Sequence, residues 1–136
     1  MIVFFDASAL IYLVEGAEPF RGRVRDALGS IIQQHPDAAT ALCRLSWLEC
    51  RVGPMKANDA VRLAEFDAFF ARRDIIWVDM SQQVVELAAE IRVRHGLRAA
   101  DALQAASCLQ LGPGHAMLTG DAAFRRVAGL NVVVLA

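Results

Sequence analysis

Short apolar runs recur along the chain, and turn or polar residues separate them. Ile2-Val3-Phe4-Phe5 stops at Asp6, Ile75-Ile76-Trp77-Val78 stops at Asp79, and two further runs lie at 115–119 (HAMLT) and 131–135 (NVVVL). Strands that are apolar without alternation are buried on both faces. The segment 37–45, DAATALCRL, is an ambiguous short strand. The intervening stretches have helical character. One helix is expected from near Ser8 to about Glu15, before Gly16, and a second over 19–35, with Pro19 near its first turn and Gly29 as a weak point. A third covers 46–54 and is expected to end at Gly53-Pro54. The stretch 58–73 is amphipathic, with Val61, Leu63, Ala64, Phe66, Phe69 and Phe70 on a broad apolar face. Ser81 and Gly96 cap a helix between them, 99–111 forms another before Gly112-Pro113-Gly114, and a short helix falls near 122–127. Helices alternating with buried strands predict an α/β fold with a mainly parallel sheet covered on both faces. Residues 1–136 contain no internal repeat, low-complexity tract or linker, and read as a single domain.

Composition changes this picture in three ways. Hydrophobic residues make up 56% and charged residues 21%, an apolar surplus that suggests burial against partner chains. The net charge of −1 excludes a global positive field, so any nucleic-acid contact must come from a local basic patch. Of the 14 basic residues only Lys56 is a lysine. Cys43, Cys50 and Cys108 are odd in number and form no C-x-x-C pair; they read as reduced, buried thiols of a cytoplasmic protein. The N-terminus has no basic region before its apolar run, and no stretch has the roughly 18 uncharged apolar residues of a membrane span.

The chemistry lies in four acids at element junctions. Asp6 follows the first strand. Glu49 is placed in the first turn of the helix after the second strand, Asp101 in the first turn of its helix, and Asp121 directly after the strand at 115–119. In an open α/β sheet such positions face one edge, where ligands bind. Carboxylates gathered there repel, and their pKa values rise unless a cation neutralises them. An all-oxygen donor set suits Mg²⁺ or Mn²⁺ and not zinc. Each acid also has a purely structural role open to it. Ser46 and Glu49 have capping-box spacing, Asp101 complements a helix dipole, and Asp121 is a ready N-cap. Asp6 is the hardest to dismiss, because the end of a core strand is a costly place for an unpaired carboxylate.

The ordered set DASAL, LSWLE, LRAADALQAA and LTGDAAF resembles the PIN domain, and most closely the VapC-type toxins of bacterial toxin–antitoxin pairs. The resemblance spans almost the whole chain. It implies a three-layer α/β/α fold with a mainly parallel central sheet. It also implies a Mg²⁺-dependent (or Mn²⁺-dependent) ribonuclease whose acidic set is Asp6, Glu49, Asp101 and Asp121, with Asp6, Asp101 and Asp121 holding the metal. Ser8 and Thr119 match hydroxyl positions that support that set. The implied partners are RNA, a VapB-type antitoxin and a second copy of the chain in a homodimer. Many relatives carry another acid where Ala123 stands here, which favours one strong metal site. Arg44, Arg51, Lys56, Arg98, Arg125 and Arg126 are the candidates to hold an RNA backbone. The rival reading is a PIN-like scaffold that binds RNA or protein without cutting it. A phosphoaspartate receiver or a haloacid-dehalogenase-type phosphatase is excluded, since the acidic pair and Asp-x-Asp that they need are missing around Asp6-Ala7-Ser8.

Overall fold

The computed structural model describes residues 1–135. Five strands, β1 (Ile2–Phe5), β2 (Ala39–Cys43), β3 (Ile75–Val78), β4 (His115–Thr119) and β5 (Val132–Val134), form one sheet in the order β3-β2-β1-β4-β5. All four pairings are parallel. Register sets Phe5 opposite Leu42 on one side and Leu118 on the other. Six helices cover the sheet: α1 (Ala7–Glu15), α2 (Phe20–Gln34), α3 (Leu45–Lys56), α4 (Ala60–Phe70), α5 (Gln82–His95) and α6 (Ala99–Leu109). A 3₁₀ turn spans Ala122–Arg126.

The apolar runs work on both faces of the sheet, which makes three layers. Phe4, Ala41 and Met117 face α5 and α6, meeting Val84, Ala88, Ile91, Ala105 and Ala106. Val3, Phe5, Leu42 and Leu118 face the other way, onto Leu10 of α1, Val24 of α2 and Phe66 and Phe70 of α4. Side chains alternate along a strand, so each short run supplies two cores. The fold is therefore the expected α/β/α sandwich.

Local readings hold to different degrees. The ambiguous stretch 37–45 contributes β2. Ser81 caps α5 by accepting from the Val84 N–H, and Gly96 ends it at φ 69°. By contrast, α3 does not stop at Gly53-Pro54 but runs to Lys56 with Pro54 buried inside it. Pro54 forfeits the bond to the Cys50 carbonyl, but it has no effect on donors that follow it, and the Ala57 and Asp59 N–H groups reach the Gly53 and Pro54 carbonyls and close the last turn. α2 passes through Gly29 unbroken. The Phe-rich helix α4 uses its aromatic face within the chain, where Phe70 meets both Trp47 and Trp77. Val61 of that face is nonetheless exposed, as are Val85 and Val93 of α5, and the densest group of exposed apolar side chains is on α3, at Trp47, Leu48, Val52 and Met55. All three cysteines are buried and free.

Candidate metal and nucleic-acid site

Asp6 stands where β1 becomes α1, and its carboxylate is almost wholly buried at 5% exposure. As the N-cap of α1 it accepts from the Ala9 N–H at 2.9 Å. The Ser8 hydroxyl donates to the same oxygen at 2.6 Å, and the Thr119 hydroxyl donates to the other at 2.5 Å. Those hydroxyls are themselves oriented by the backbone. Gly120 N–H donates to Ser8 Oγ and Asp121 N–H donates to Thr119 Oγ1, both at 3.0 Å. With those lone pairs taken, each O–H proton is directed at Asp6. The β4 turn therefore grips the β1 carboxylate through two hydroxyls, so Ser8 and Thr119 do support the acidic set. Gly120 is required there by space: a Cβ would lie 2.6 Å from the Tyr12 hydroxyl.

Asp121 caps the 3₁₀ turn, accepting from the Ala123 N–H at 2.9 Å. Asp101 sits in the first turn of α6, as expected, with Arg98 Nε 3.4 Å away. Glu49 departs from expectation. α3 begins at Leu45, which puts Glu49 in the second turn, and Ser46 is inside the helix and does not cap it. The Ser46–Glu49 spacing serves a different purpose. Both face Gln104 of α6, whose amide donates to Ser46 Oγ at 3.0 Å and to Glu49 Oε1 at 2.9 Å. Gln104 was not among the residues that the sequence singled out. Its signal is one amide on the alanine-rich buried face of α6, three residues after Asp101.

Asp6, Glu49, Asp101 and Asp121 line one cleft of about 270 Å³, together with Arg98 and Gln104. Burial, with a smaller contribution from neighbouring charge, acts on two of these acids. Burial pushes the Asp6 carboxyl above the usual range against the opposing hydrogen bonds of Ser8, Thr119 and Ala9, and the Asp101 charge adds to the rise. Burial also raises Glu49, opposed by Gln104 and reinforced by Asp101 and Asp6. Among the described residues, no three His, Cys, Asp or Glu side chains meet closely enough to enclose an ion by themselves. The donor set thus fits an ion that keeps much of its water and takes one or two carboxylates, as Mg²⁺ does. It does not fit a zinc cage.

The basic candidates separate by their partners. Arg44 pairs with Asp79 at 2.8 Å and lies 4.2 Å over the Trp77 ring. Arg51 pairs with Asp67 at 2.9 Å and lies over Trp47. Lys56 is about 10 Å further along α3 than Glu49. Arg98 lines the cleft, with its side chain 85% exposed. Arg125 and Arg126 are exposed on the 3₁₀ turn next to Asp121.

A parallel α/β/α sandwich with acids at the carboxyl ends of its strands defines a class with ligand chemistry at that edge. Within that class, the PIN domain family matches residues 3–130, and the chain belongs to it. No curated protein matches the sequence. Several solved structures share the fold. VapBC2 from Rickettsia felis bound to a promoter DNA fragment has 15% identity and a TM-score of 0.76, over 98% of both chains. A toxin–antitoxin complex from Klebsiella pneumoniae has 23% identity and a TM-score of 0.70, over 98% of both. VapBC-1 from nontypeable Haemophilus influenzae has 16% identity and a TM-score of 0.74, over 99% of this chain and 98% of that one. No described helix is long and apolar enough to cross a membrane.

Proposed function

We propose that the chain is a Mg²⁺-dependent ribonuclease of the VapC type, the toxin of a toxin–antitoxin pair. The observation that carries this reading is the convergence of Asp6, Glu49, Asp101 and Asp121, from four separate segments, on one cleft. Asp6, Asp101 and Asp121 are the residues that would hold the metal, one or two of them directly and the rest through its bound water. A Mg²⁺ ion bound there would supply a Lewis acid for a phosphate oxygen and would lower the pKa of a water, making hydroxide available as the nucleophile. Asp6 is held rigidly for that task by Ser8 and Thr119. Glu49, held by Gln104, orients water on the opposite wall. Arg98, Arg125 and Arg126 hold the RNA backbone, while Arg44 and Arg51 are committed to Asp79 and Asp67. No side chain serves as nucleophile. The cysteines are buried, and the Cys108 thiol is pushed up to about 12, far from reactive.

The test is cleavage of RNA by the purified chain. Mg²⁺ or Mn²⁺ should support cleavage and EDTA should abolish it. A chain that binds RNA and never cuts it would favour the scaffold reading. The similarity to VapBC2 and to a toxin–antitoxin complex supports a VapB-type antitoxin as partner. The ridge of Trp47, Leu48 and Met55 on α3 supports a homodimer, the commonest assembly of identical chains. Light scattering at micromolar concentration should give twice the chain mass, and a monomer mass would refute the dimer.

A further inference from the structure

We infer that Gln104 is a positioning residue, an amide clamp that fixes Glu49 of α3 at a set place across the cleft from Asp101 of α6. The inference deepens the nuclease reading above and rests on it for the task assigned to Glu49. Gln104 lies three residues after Asp101 on α6, and Glu49 lies three residues after Ser46 on α3. Residues at that spacing share a helix face. The two pairs confront each other, and one amide spans them.

Both amide protons are assigned, one to Ser46 Oγ and one to Glu49 Oε1. The Ser46 bond therefore stops the amide from rotating away from Glu49. The orientation is also fixed chemically, because an ionised carboxylate only accepts and must face the NH₂ side. The consequence is an unpartnered Gln104 Oε1 on a residue that is only 2% exposed. An unpaired buried acceptor is unfavourable, and a methionine of similar shape would avoid it. The other buried residues of α6 are Ala102, Ala105, Ala106, Ser107 and Cys108, and the Ser107 hydroxyl is satisfied by Cys43 and the Leu103 carbonyl, so packing alone would be served by an apolar side chain at 104. What the amide adds is the grip on Glu49.

The test uses Gln104→Met, which keeps the shape and removes the donor, and Gln104→His, whose ring N–H restores a donor. Both are compared with the wild type by circular dichroism and by RNA cleavage in Mg²⁺. Gln104→Met should lower kcat by about 10–100-fold, the range for residues that orient a site's ligands, with KM nearly unchanged. Gln104→His should recover part of the loss. Denaturation midpoints in EDTA for Gln104→Met, Glu49→Met and the double variant supply a readout independent of activity. Midpoint changes that fail to add show that the two residues act together. Unchanged kcat in a folded Gln104→Met, or additive midpoints, would overturn the clamp. A wild type that cuts no RNA but gives non-additive midpoints would remove the nuclease reading and leave the grip itself supported.

Discussion

Replacing Asp101 by Asn is expected to lower Mg²⁺-dependent RNA cleavage by at least about a hundredfold while the protein folds as before. The side chain keeps its shape, so what disappears is the negative charge that a hard cation needs. Little else depends on that charge. Its contact with Arg98 is long, at 3.4 Å, with an arginine side chain that is 85% exposed, and such pairs add little to stability. Its favourable place in the first turn of α6 is worth about 0.5 kcal/mol. Against that stands relief, since the Asp101 charge repels those of Asp6 and Glu49 and contributes to raising the pKa of both. The variant should therefore unfold near the wild-type temperature in EDTA. Cleavage assays with matched circular dichroism check the prediction, and wild-type cleavage by Asp101→Asn would remove Asp101 from the metal ligands.

Glu49→Gln should show activity and stability moving in opposite directions. Cleavage should fall by about a hundredfold or more, the loss typical of a group that orients the reacting water. In EDTA at neutral pH, however, the variant should melt a few degrees higher than the wild type, since roughly 1 kcal/mol corresponds to about 3–5 °C at this chain length. Asp6 and Glu49 both have folded-state pKa values raised by burial. Groups raised in this way contribute stability that is complete below their unfolded pKa values and is lost as pH rises through the folded ones. Without a divalent ion, these two carboxyls therefore make the protein less stable as pH climbs above the ordinary carboxylate range of about 4. The amide of Glu49→Gln remains uncharged throughout, still accepts from Gln104, and should flatten that decline. Melting curves at rising pH decide the matter. A variant that melts lower than the wild type at pH 7 would mean that the Glu49 charge supports the fold.

The two halves of the acidic cleft were not equally legible in the sequence. Asp6 and Asp121 follow unmistakable apolar runs, so the strand ends that carry them could be located from hydrophobicity alone. The three layers followed from the same runs, because four or five continuous apolar residues leave neither face for water. The α3–α6 half was harder to read. Ser46 and Glu49 have the spacing of a capping box, and local spacing cannot tell a cap from a pair of residues facing another helix. The start of α3 at Leu45, one residue before Ser46, decided between them. Gln104 was invisible for the same reason, since its partners are 58 and 55 residues away. Pro54 misled because a proline removes its own N–H and crowds the carbonyl four residues earlier but leaves later N–H groups free to bond, so α3 could close its last turn beyond it.

The hydroxyl of Thr119 reaches a carboxylate 113 residues earlier in the chain. The segment that carries Asp6 therefore waits for β4 before that charge is gripped on both oxygens. Asp6 alone, at the end of an unpaired strand, has neither the Thr119 donor nor the facing Asp121. A chain that has made β1 but not yet β4 lacks one wall of the cleft, so the acidic edge is assembled only when the two strands lie side by side.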